Sequence, residues 1–219
     1  LAEIHQRLLS ENALESEDVS IVYLQITRGV APRTHYFPPE GTKPTVYAFA
    51  GAFHRPDPAR WEQGYAAITV PDRRWARADI KTIGLLPNVL SQQAAVDAGV
   101  ADSLLVKDGV AIEGSHNNVF GVFDGVVTTH PPSHEILHGV GREFVMELAR
   151  GLGMTVVERA IPIEEMRGAD EIFFTGTTTE VRPTVELDGQ PVGDGTVGAV
   201  ARALYEAFKI EAVKEVAGG

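Results

Sequence analysis

Short apolar runs rich in β-branched residues alternate along the chain with segments whose apolar residues recur at helical spacing. The first kind predicts strands, and its members are Val19–Thr27, Val46–Phe53, Tyr65–Val70, Ser103–Val106, Val110–Glu113, Val119–Phe123 and Glu171–Phe174. The second kind predicts helices, and its members are Val89–Gly99, Arg142–Leu152 and Val197–Val216. Val19–Thr27 contains no breaker and is expected to be largely buried. The interleaved pattern predicts a mixed α,β fold.

Three Asp-Gly pairs separate β-rich runs, at Asp108-Gly109, Asp124-Gly125 and Asp188-Gly189. Asp-Gly between two such runs is a strong signal of a two-residue β-hairpin. The second part of the chain is therefore expected to be rich in antiparallel strands.

The segment His54-Arg-Pro56-Asp-Pro58 predicts a domain boundary, because two prolines so close together oppose regular structure. We predict the remainder of a small N-terminal domain over residues 1–55, a linker over 56–60 and a large domain over 61–219. The first residues already show helical apolar spacing without an N-cap residue before them. An N-terminal part of the natural protein is therefore expected to precede this sequence.

Composition excludes several classes of protein. The 219 residues are 44% hydrophobic, which excludes a disordered chain, and the formal net charge of −11 opposes binding to nucleic acid. The longest apolar run, Val46–Phe53, is far shorter than the roughly 20 residues of a membrane span. The chain has no cysteine, which excludes thiolate chemistry and fits a reducing compartment. We expect a cytoplasmic protein that binds neither nucleic acid nor a membrane.

Lys81 differs in context from the other four lysines, because apolar residues flank it in Asp79-Ile-Lys81-Thr-Ile-Gly-Leu-Leu. Desolvation lowers the pKa of a lysine, which suits Schiff-base chemistry. The alternative is a lysine whose ammonium group reaches water from the edge of an element.

Glu113 ends the predicted strand Val110–Glu113 after three apolar residues. A buried carboxylate requires a cationic or hydrogen-bonding partner, and a protonated pyridine nitrogen would serve, although a surface glutamate is the commoner case at a strand end. Four polar side chains follow in Ser115-His116-Asn117-Asn118.

Two segments are candidates for holding a phosphate group. Gly139-Val140-Gly141 precedes a predicted helix, so its amide groups would converge at a helix N-terminus. Thr175-Gly-Thr177-Thr178-Thr179 follows a predicted strand and supplies hydroxyl groups next to a glycine. A threonine-rich turn or a helix cap is the alternative interpretation of the second segment.

A zinc site is a competing interpretation of a third segment. His134 and His138 are four residues apart, the spacing of zinc ligands on a helix, with Glu135 or His130 as a third ligand. Pro131 and Pro132 oppose a helix there, which favours solvated loop histidines.

Taken in this order, the motifs resemble those of the class IV aminotransferases, the fold-type IV enzymes that use pyridoxal 5′-phosphate. The resemblance covers nearly the whole chain. It implies a mixed α,β fold, with a small α/β N-terminal domain and a larger domain built on an antiparallel-rich pseudo-barrel.

By this resemblance, Lys81 forms the Schiff base with the cofactor and Glu113 pairs with the pyridine nitrogen. The other implied cofactor residues are Ser115, His116, Asn117, Leu137, Val140, Gly141, Thr177 and Thr178. The family's second phosphate anchor usually reads Gly-Ile-Thr-Arg, and Gly141 stands here in place of the threonine. Only the amide contact can therefore be transferred to that position. No metal ion is implied.

Within the family, Arg33 and His35 make the chain most similar to the D-amino acid aminotransferases, in which such a pair binds the substrate α-carboxylate. The implied substrate residues are Tyr23, Arg33, His35, Thr178 and Thr179. Solvated loop residues are the alternative for Arg33 and His35. In the relatives this pair serves the neighbouring subunit, which implies a homodimer. The family also has further N-terminal residues, including a phosphate-binding arginine and a substrate-side tyrosine.

The resemblance implies transamination between a D-amino acid of the D-alanine type and a 2-oxo acid such as 2-oxoglutarate. An aminodeoxychorismate lyase and a branched-chain L-amino acid aminotransferase are alternatives of the same fold. A zinc hydrolase that uses His134 and His138 is the alternative from another class.

Overall fold

The structure is a computed structural model that describes residues 2–217. Residues 1, 218 and 219, which the predicted domains include, lie outside the described residues. Contacts within the chain divide it into two compact units, Leu1–Pro56 and Asp57–Gly219. Each unit is described by itself.

The first unit contains one helix and a two-stranded antiparallel sheet. The elements are α1 (Ala2–Glu11), β1 (Ser20–Thr27) and β2 (Thr45–Ala52). The strands pair from Ser20 opposite Ala52 to Thr27 opposite Thr45. The prediction that the first strand is largely buried is wrong, because a sheet of only two strands leaves much of its surface uncovered. The rings of Tyr23 and Phe49 stack on it with centroids 5.1 Å apart, and both are exposed.

The second unit interleaves helices and strands, as the sequence pattern predicts. Its helices are α2 (Pro58–Glu62), α3 (Leu86–Asp97), α4 (Val140–Gly151), α5 (Ile163–Arg167) and α6 (Ala199–Ala217). Its strands are β3 (Tyr65–Pro71), β4 (Asp102–Lys107), β5 (Val110–Gly114), β6 (Asn118–Phe123), β7 (Val126–Thr129), β8 (Val156–Glu158), β9 (Ile161–Pro162), β10 (Glu171–Gly176), β11 (Glu180–Leu187) and β12 (Gln190–Pro191).

All of these strands form one mixed sheet in the order β8-β7-β6-β10-β11-β3-β4-β5-β9, with β12 paired to β11. The pairs β11–β3, β3–β4 and β7–β8 are parallel, whereas the remaining pairs are antiparallel. The predicted mixed α,β class with a sheet rich in antiparallel strands is confirmed.

The stretch 56–60 is not wholly irregular, contrary to the expectation from its prolines. Helix α2 begins at Pro58, and Asp57 caps it by accepting a hydrogen bond of 2.8 Å from the amide of Ala59. Proline suits the first turn of a helix, where its missing N–H would have no partner in any case. Trp61 of this helix is buried and donates from Nε1 to the carbonyl oxygen of Val181.

The three predicted Asp-Gly hairpins are confirmed. In each pair both residues have positive φ, at 50° and 78°, 48° and 77°, and 53° and 73° in chain order. Positive φ at both central positions is the geometry of a type I′ turn, which fits the twist of antiparallel strands. The hairpin at Asp108-Gly109 joins β4 to β5, the strand that carries Glu113.

The β4–β5 pairing is irregular beside Glu113. Ala111 lies opposite Val106, and Gly114 lies opposite Leu104. Strand β5 therefore spans this interval with one more residue than β4, which is a β-bulge.

Side chains of the sheet pack into two hydrophobic clusters. The adjacent residues Phe173 and Phe174 of β10 are fully buried and belong to different clusters, because successive strand residues point to opposite faces. Helices α4 and α6 contribute to the Phe173 cluster, which includes Val145 and Leu204. Among the described residues, no helix is both long enough and apolar enough to span a membrane.

Candidate active site

Glu113 is a buried carboxylate at the end of β5, with 4% of its surface exposed. Its partners are charged and polar groups of the same unit. Arg74 donates from Nη1 to Oε1 of Glu113, and Asn118 donates from Nδ2 to Oε2 over 2.8 Å. The expectation that a carboxylate at this position requires a cationic or hydrogen-bonding partner therefore agrees with its surroundings.

Asn118 and Leu137 connect Glu113 to the segment before α4. The amide of Leu137 donates to both carboxylate oxygens of Glu113, at 3.3 and 3.2 Å. Nδ2 of Asn118 also donates to the carbonyl oxygen of Leu137 over 2.9 Å. Three of the residues singled out in the sequence thus form one hydrogen-bonded group.

The two candidate phosphate segments lie side by side. Helix α4 has Gly139 at its N-cap with no side-chain cap, so the amides of its first turn remain available to a ligand. A Cβ atom placed on Gly141 would lie 3.4 Å from the Cα and carbonyl carbon of Gly176. Backbone therefore meets backbone at this point, and the first turn of α4 lies beside the threonine-rich loop.

The threonine-rich loop forms a turn between β10 and β11. Thr177 and Thr178 are exposed, and Thr179 is buried. Oγ1 of Thr175 and Oδ1 of Asn117 are buried and have no hydrogen-bond partner within residues 2–217. The Cβ of Asn117 is 3.5 Å from a Cβ placed on Gly176, so an unsatisfied side chain borders this loop. A phosphate group, whose oxygens accept hydrogen bonds, fits the donors at this place, which are the first-turn amides of α4 and the exposed hydroxyl groups of Thr177 and Thr178.

A second buried carboxylate fixes the loop that follows Glu113. Asp102 accepts a hydrogen bond of 2.8 Å from Nδ2 of Asn117 and one of 3.1 Å from Nη1 of Arg182. Ser115 is buried and donates from Oγ to Oε1 of Gln92 over 2.7 Å, whereas His116 is exposed. Hydrogen bonds to Asp102 and Gln92 therefore hold the loop that follows Glu113.

Arg142 anchors the first turn of α4 and is fully buried. It donates from Nη2 to the carbonyl oxygen of His130 over 2.8 Å and also pairs with Glu158 and Glu143. Val140 is exposed and Gly141 is half-buried, so the amides of this turn lie at the surface of a rigidly held backbone.

The prediction of an apolar environment for Lys81 is wrong. Lys81 lies in the loop between β3 and α3 with its side chain exposed, and Ile80 and Ile83 are 42% and 70% exposed. Loops run over the surface, so their apolar residues need not be buried. The amide of Ala78 donates 2.9 Å to the carbonyl oxygen of His134, which ties the loop to the segment leading to Leu137.

The geometry needed for the zinc alternative is not formed. Residues 134–138 lie in turns and irregular structure rather than in a helix, so the four-residue spacing does not align the two histidines. Nε2 of His138 is 3.1 Å from the carbonyl oxygen of Ser133, and Nε2 of His130 is 3.8 Å from Oε2 of Glu135. In the part of the chain that the structure describes, no group of three His, Asp or Glu residues could hold a metal ion.

The predicted substrate residues of the first unit are all exposed. Tyr23 lies on β1 and donates from its hydroxyl group to Oε1 of Gln25 over 2.8 Å. Arg33 and His35 lie in the loop between β1 and β2. Their roles remain predictions.

Comparison with known proteins decides the family. A model of the amino-transferase class IV family matches residues 1–187. The chain belongs to this family. Curated class IV relatives include D-alanine aminotransferases of Staphylococcus aureus and Staphylococcus epidermidis, which are 36% and 38% identical to the chain over 209 residues. Each match covers 95% of this chain and 73% of the relative.

Solved structures of the same fold carry a different name. The T.th. branched-chain amino acid aminotransferase with pyridoxamine 5′-phosphate has a TM-score of 0.82 and 29% identity, over 95% of this chain and 68% of that chain. The branched-chain amino acid aminotransferase from Escherichia coli has a TM-score of 0.77 and 28% identity, and the match again covers 95% of this chain and 68% of that chain. The resemblance to class IV aminotransferases, and the fold that it implies, are confirmed.

Sequence reasoning missed Asp72 and Arg74. Both lie in the loop after β3, and their side chains are 7% and 6% exposed. The run Asp72-Arg-Arg74 directly after a strand was the available signal. It does not reveal which arginine is buried, because the partner carboxylate lies 39 residues further along the chain.

The buried carboxylate of Glu113 predicts an unusual dependence of stability on pH. Burial raises the pKa of Glu113 to about 7, although Arg74 opposes this shift. The folded protein then binds this proton more tightly than the unfolded chain, whose glutamate titrates near 4.5. The stabilisation that comes from this tighter proton binding is complete below pH 4.5. It is lost as pH rises to 7, which lowers the free energy of unfolding by about 3 kcal/mol.

Urea unfolding of the ligand-free protein between pH 4.5 and 8 measures this loss. We expect Glu113→Gln to remove the downward slope between pH 4.5 and 7, whereas Glu147→Gln, at an exposed site on α4, keeps it. Identical pH profiles for Glu113→Gln and the wild type would contradict the raised pKa.

Proposed function

We propose that the protein transfers an amino group from a D-amino acid of the D-alanine type to a 2-oxo acid such as 2-oxoglutarate, with pyridoxal 5′-phosphate as cofactor. The observation that carries the proposal is the assembly of Glu113, Asn118 and Leu137 beside the paired backbones of Gly141 and Gly176. These groups support the proposal because a buried carboxylate suits a protonated ring nitrogen and adjoining backbone amides suit a phosphate group, in a chain of the class IV family.

The residues present suit this cofactor in chemical type. The amides of Val140 and Gly141 and the hydroxyl group of Thr177 would hold the phosphate, and Leu137 would pack against the ring. The hydroxyl group of Thr175, at the end of β10, is a further buried group without a hydrogen-bond partner within residues 2–217. Ser115, His116, Asn117 and Thr178 are proposed to line the rest of the site.

The chain's own groups would perform the following work. When bound, the cofactor supplies an electron sink for the charge that develops at the substrate Cα. Lys81 would hold the cofactor covalently through Nζ, and its amine would carry the proton to and from the substrate Cα. The Glu113 carboxylate stabilises the protonated ring nitrogen, which sustains the sink.

Substrate orientation is assigned to the first unit. Arg33 and His35 would bind the α-carboxylate, with Tyr23, Thr178 and Thr179 as further substrate contacts. We propose that the pair serves the site of the neighbouring subunit in a homodimer. A cytoplasmic location belongs to the same proposal and is supported by the absence of cysteine from the sequence.

Steady-state assays of the full-length protein with 2-oxoglutarate test the proposal. We expect D-alanine to be a good amino donor and L-leucine and L-alanine to be poor ones. Branched-chain L-amino acid transamination is the second candidate, because the two solved structures described above carry that name. L-leucine turning over as fast as D-alanine would overturn the D assignment and leave the family.

A further inference from the structure

Three buried charged side chains form a cluster at the base of the candidate site, and we name Asp72, Arg74 and Glu113 the acid–base cluster. Arg74 donates to Asp72 from Nε over 3.0 Å and from Nη2 over 2.8 Å. Its Nη1 donates to Glu113, and Nη2 also donates to the carbonyl oxygen of Glu135 over 2.9 Å. The guanidinium is therefore fixed from three directions.

The charges of the cluster do not balance. Two carboxylates face one guanidinium, which leaves one excess negative charge when both acids are ionised. Burial works against the ionised form of Asp72, but hydrogen bonds from Arg74 still hold the pKa of Asp72 below its usual range. The protonatable member is therefore Glu113, whose pKa burial raises to about 7.

The remaining groups around Glu113 do not supply the missing positive charge. Asn118 and the amide of Leu137 are neutral donors. Lys107 acts on Asp72 from a distance, but its own ion pair is with Glu135, at 2.9 Å. One more cation at Glu113 would neutralise the cluster.

We propose that Arg74, held in place by Asp72, is a positioning residue for a proton that Glu113 and the cofactor ring nitrogen share. Its effect is to keep this proton on the ring nitrogen rather than on Glu113. The inference rests on the proposed function and deepens it. One proton lies between the carboxylate and the ring nitrogen, and no other reactant is required. Arg74 stabilises the ionised carboxylate and so makes Glu113 the weaker base of the two. Without the guanidinium the proton moves to Oε1 or Oε2 of Glu113, and the ring nitrogen becomes neutral.

The chemical shift of the ring nitrogen reports the position of this proton directly. The full-length protein is loaded with ¹⁵N-labelled pyridoxal 5′-phosphate, and nitrogen NMR spectra are recorded for the wild type, Arg74→Met and Arg74→Lys. We expect a pyridinium shift in the wild type and a move towards the neutral pyridine value in Arg74→Met. Arg74→Lys keeps the charge but cannot fork between two carboxylates, so its shift is expected to be intermediate. Arg202→Gln removes an exposed arginine that pairs with Glu62 and should match the wild type.

A second measurement covers the protein without cofactor. In the wild type, the fall in unfolding free energy that is assigned to Glu113 ends near the pKa of its carboxyl group. We expect this end point to lie at a higher pH in Arg74→Met. Because that variant leaves Asp72 buried and unpaired, it risks failing to fold. The double variant Asp72→Asn/Arg74→Met removes both charges and is then measured in its place, with the same expected shifts.

The outcomes separate this inference from the proposed function. A wild-type pyridinium shift in the Arg74 variants, combined with a changed shift in Glu113→Gln, would overturn the role of Arg74 and leave the proposed function standing. An unchanged shift in Glu113→Gln would mean that Glu113 does not meet the ring nitrogen, and the proposed role of Glu113 would fail together with this inference.

Discussion

Replacing Lys81 by alanine is expected to lower kcat for transamination by about four orders of magnitude. By the proposed function, the change would remove both the covalent attachment of the cofactor and the group that moves the Cα proton. Rapid-quench measurement of the half-reaction with D-alanine gives the rate of this chemical step. Lys209→Ala is the matched control, because Lys209 lies on α6 and pairs with Glu206, where an effect on the half-reaction is not expected.

Borohydride reduction followed by peptide mapping tests the same assignment without an activity assay. We expect the phosphopyridoxyl label on the peptide that contains Lys81. Lys81 is one of five lysines, so a label on Lys43, Lys107, Lys209 or Lys214 would refute the assignment outright. Absence of label from every lysine would refute it as well.

Arg33→Ala is expected to lower kcat/KM for D-alanine by roughly two to three orders of magnitude, the cost of losing a charge-assisted interaction of about 3 to 4 kcal/mol. A planar guanidinium fixes both the position and the tilt of a carboxylate, and lysine does not. Arg33→Lys should therefore recover little of the loss. The visible absorbance of the bound cofactor should persist in both variants.

Arg7→Ala is the control for Arg33→Ala, because Arg7 is exposed on α1 and pairs with Glu11 of the same helix. Its kcat/KM should equal that of the wild type. The ratio of D-alanine to L-alanine turnover gives a second reading of the same residue. If Arg33→Ala retains the wild-type kcat/KM, the substrate carboxylate binds elsewhere and Arg33 is a solvated loop residue.

The parts of the fold that could be predicted are those governed by local chemistry. Asp-Gly between two apolar runs requires positive φ at both positions, so Asp108-Gly109 specified its hairpin without knowledge of the partner strands. The glycines at 139, 141 and 176 marked two separate candidate phosphate segments, and the structure places Gly141 against Gly176, a proximity that the sequence did not predict. Glu113 followed three apolar residues, which indicated burial.

The parts that could not be predicted depend on contacts distant in sequence. Arg73 and Arg74 are equivalent as letters, yet the first is exposed and the second is buried against Glu113. The apolar neighbours of Lys81 suggested burial, but they lie in a surface loop. Pro58 suggested irregular structure, whereas its place at the start of α2 makes it compatible with a helix.

Because of the β-bulge in β5, the strand cannot pair regularly with β4 and also hold Glu113 at its present position. With regular pairing from Val106 opposite Ala111, Leu104 would face Glu113, but Gly114 occupies that place. Shortening β5 by one residue between Ala111 and Gly114 would restore an even ladder and move the carboxylate out of reach of Arg74 and Asn118. A designer who moves this site into another sheet must therefore transfer the irregularity along with the side chains.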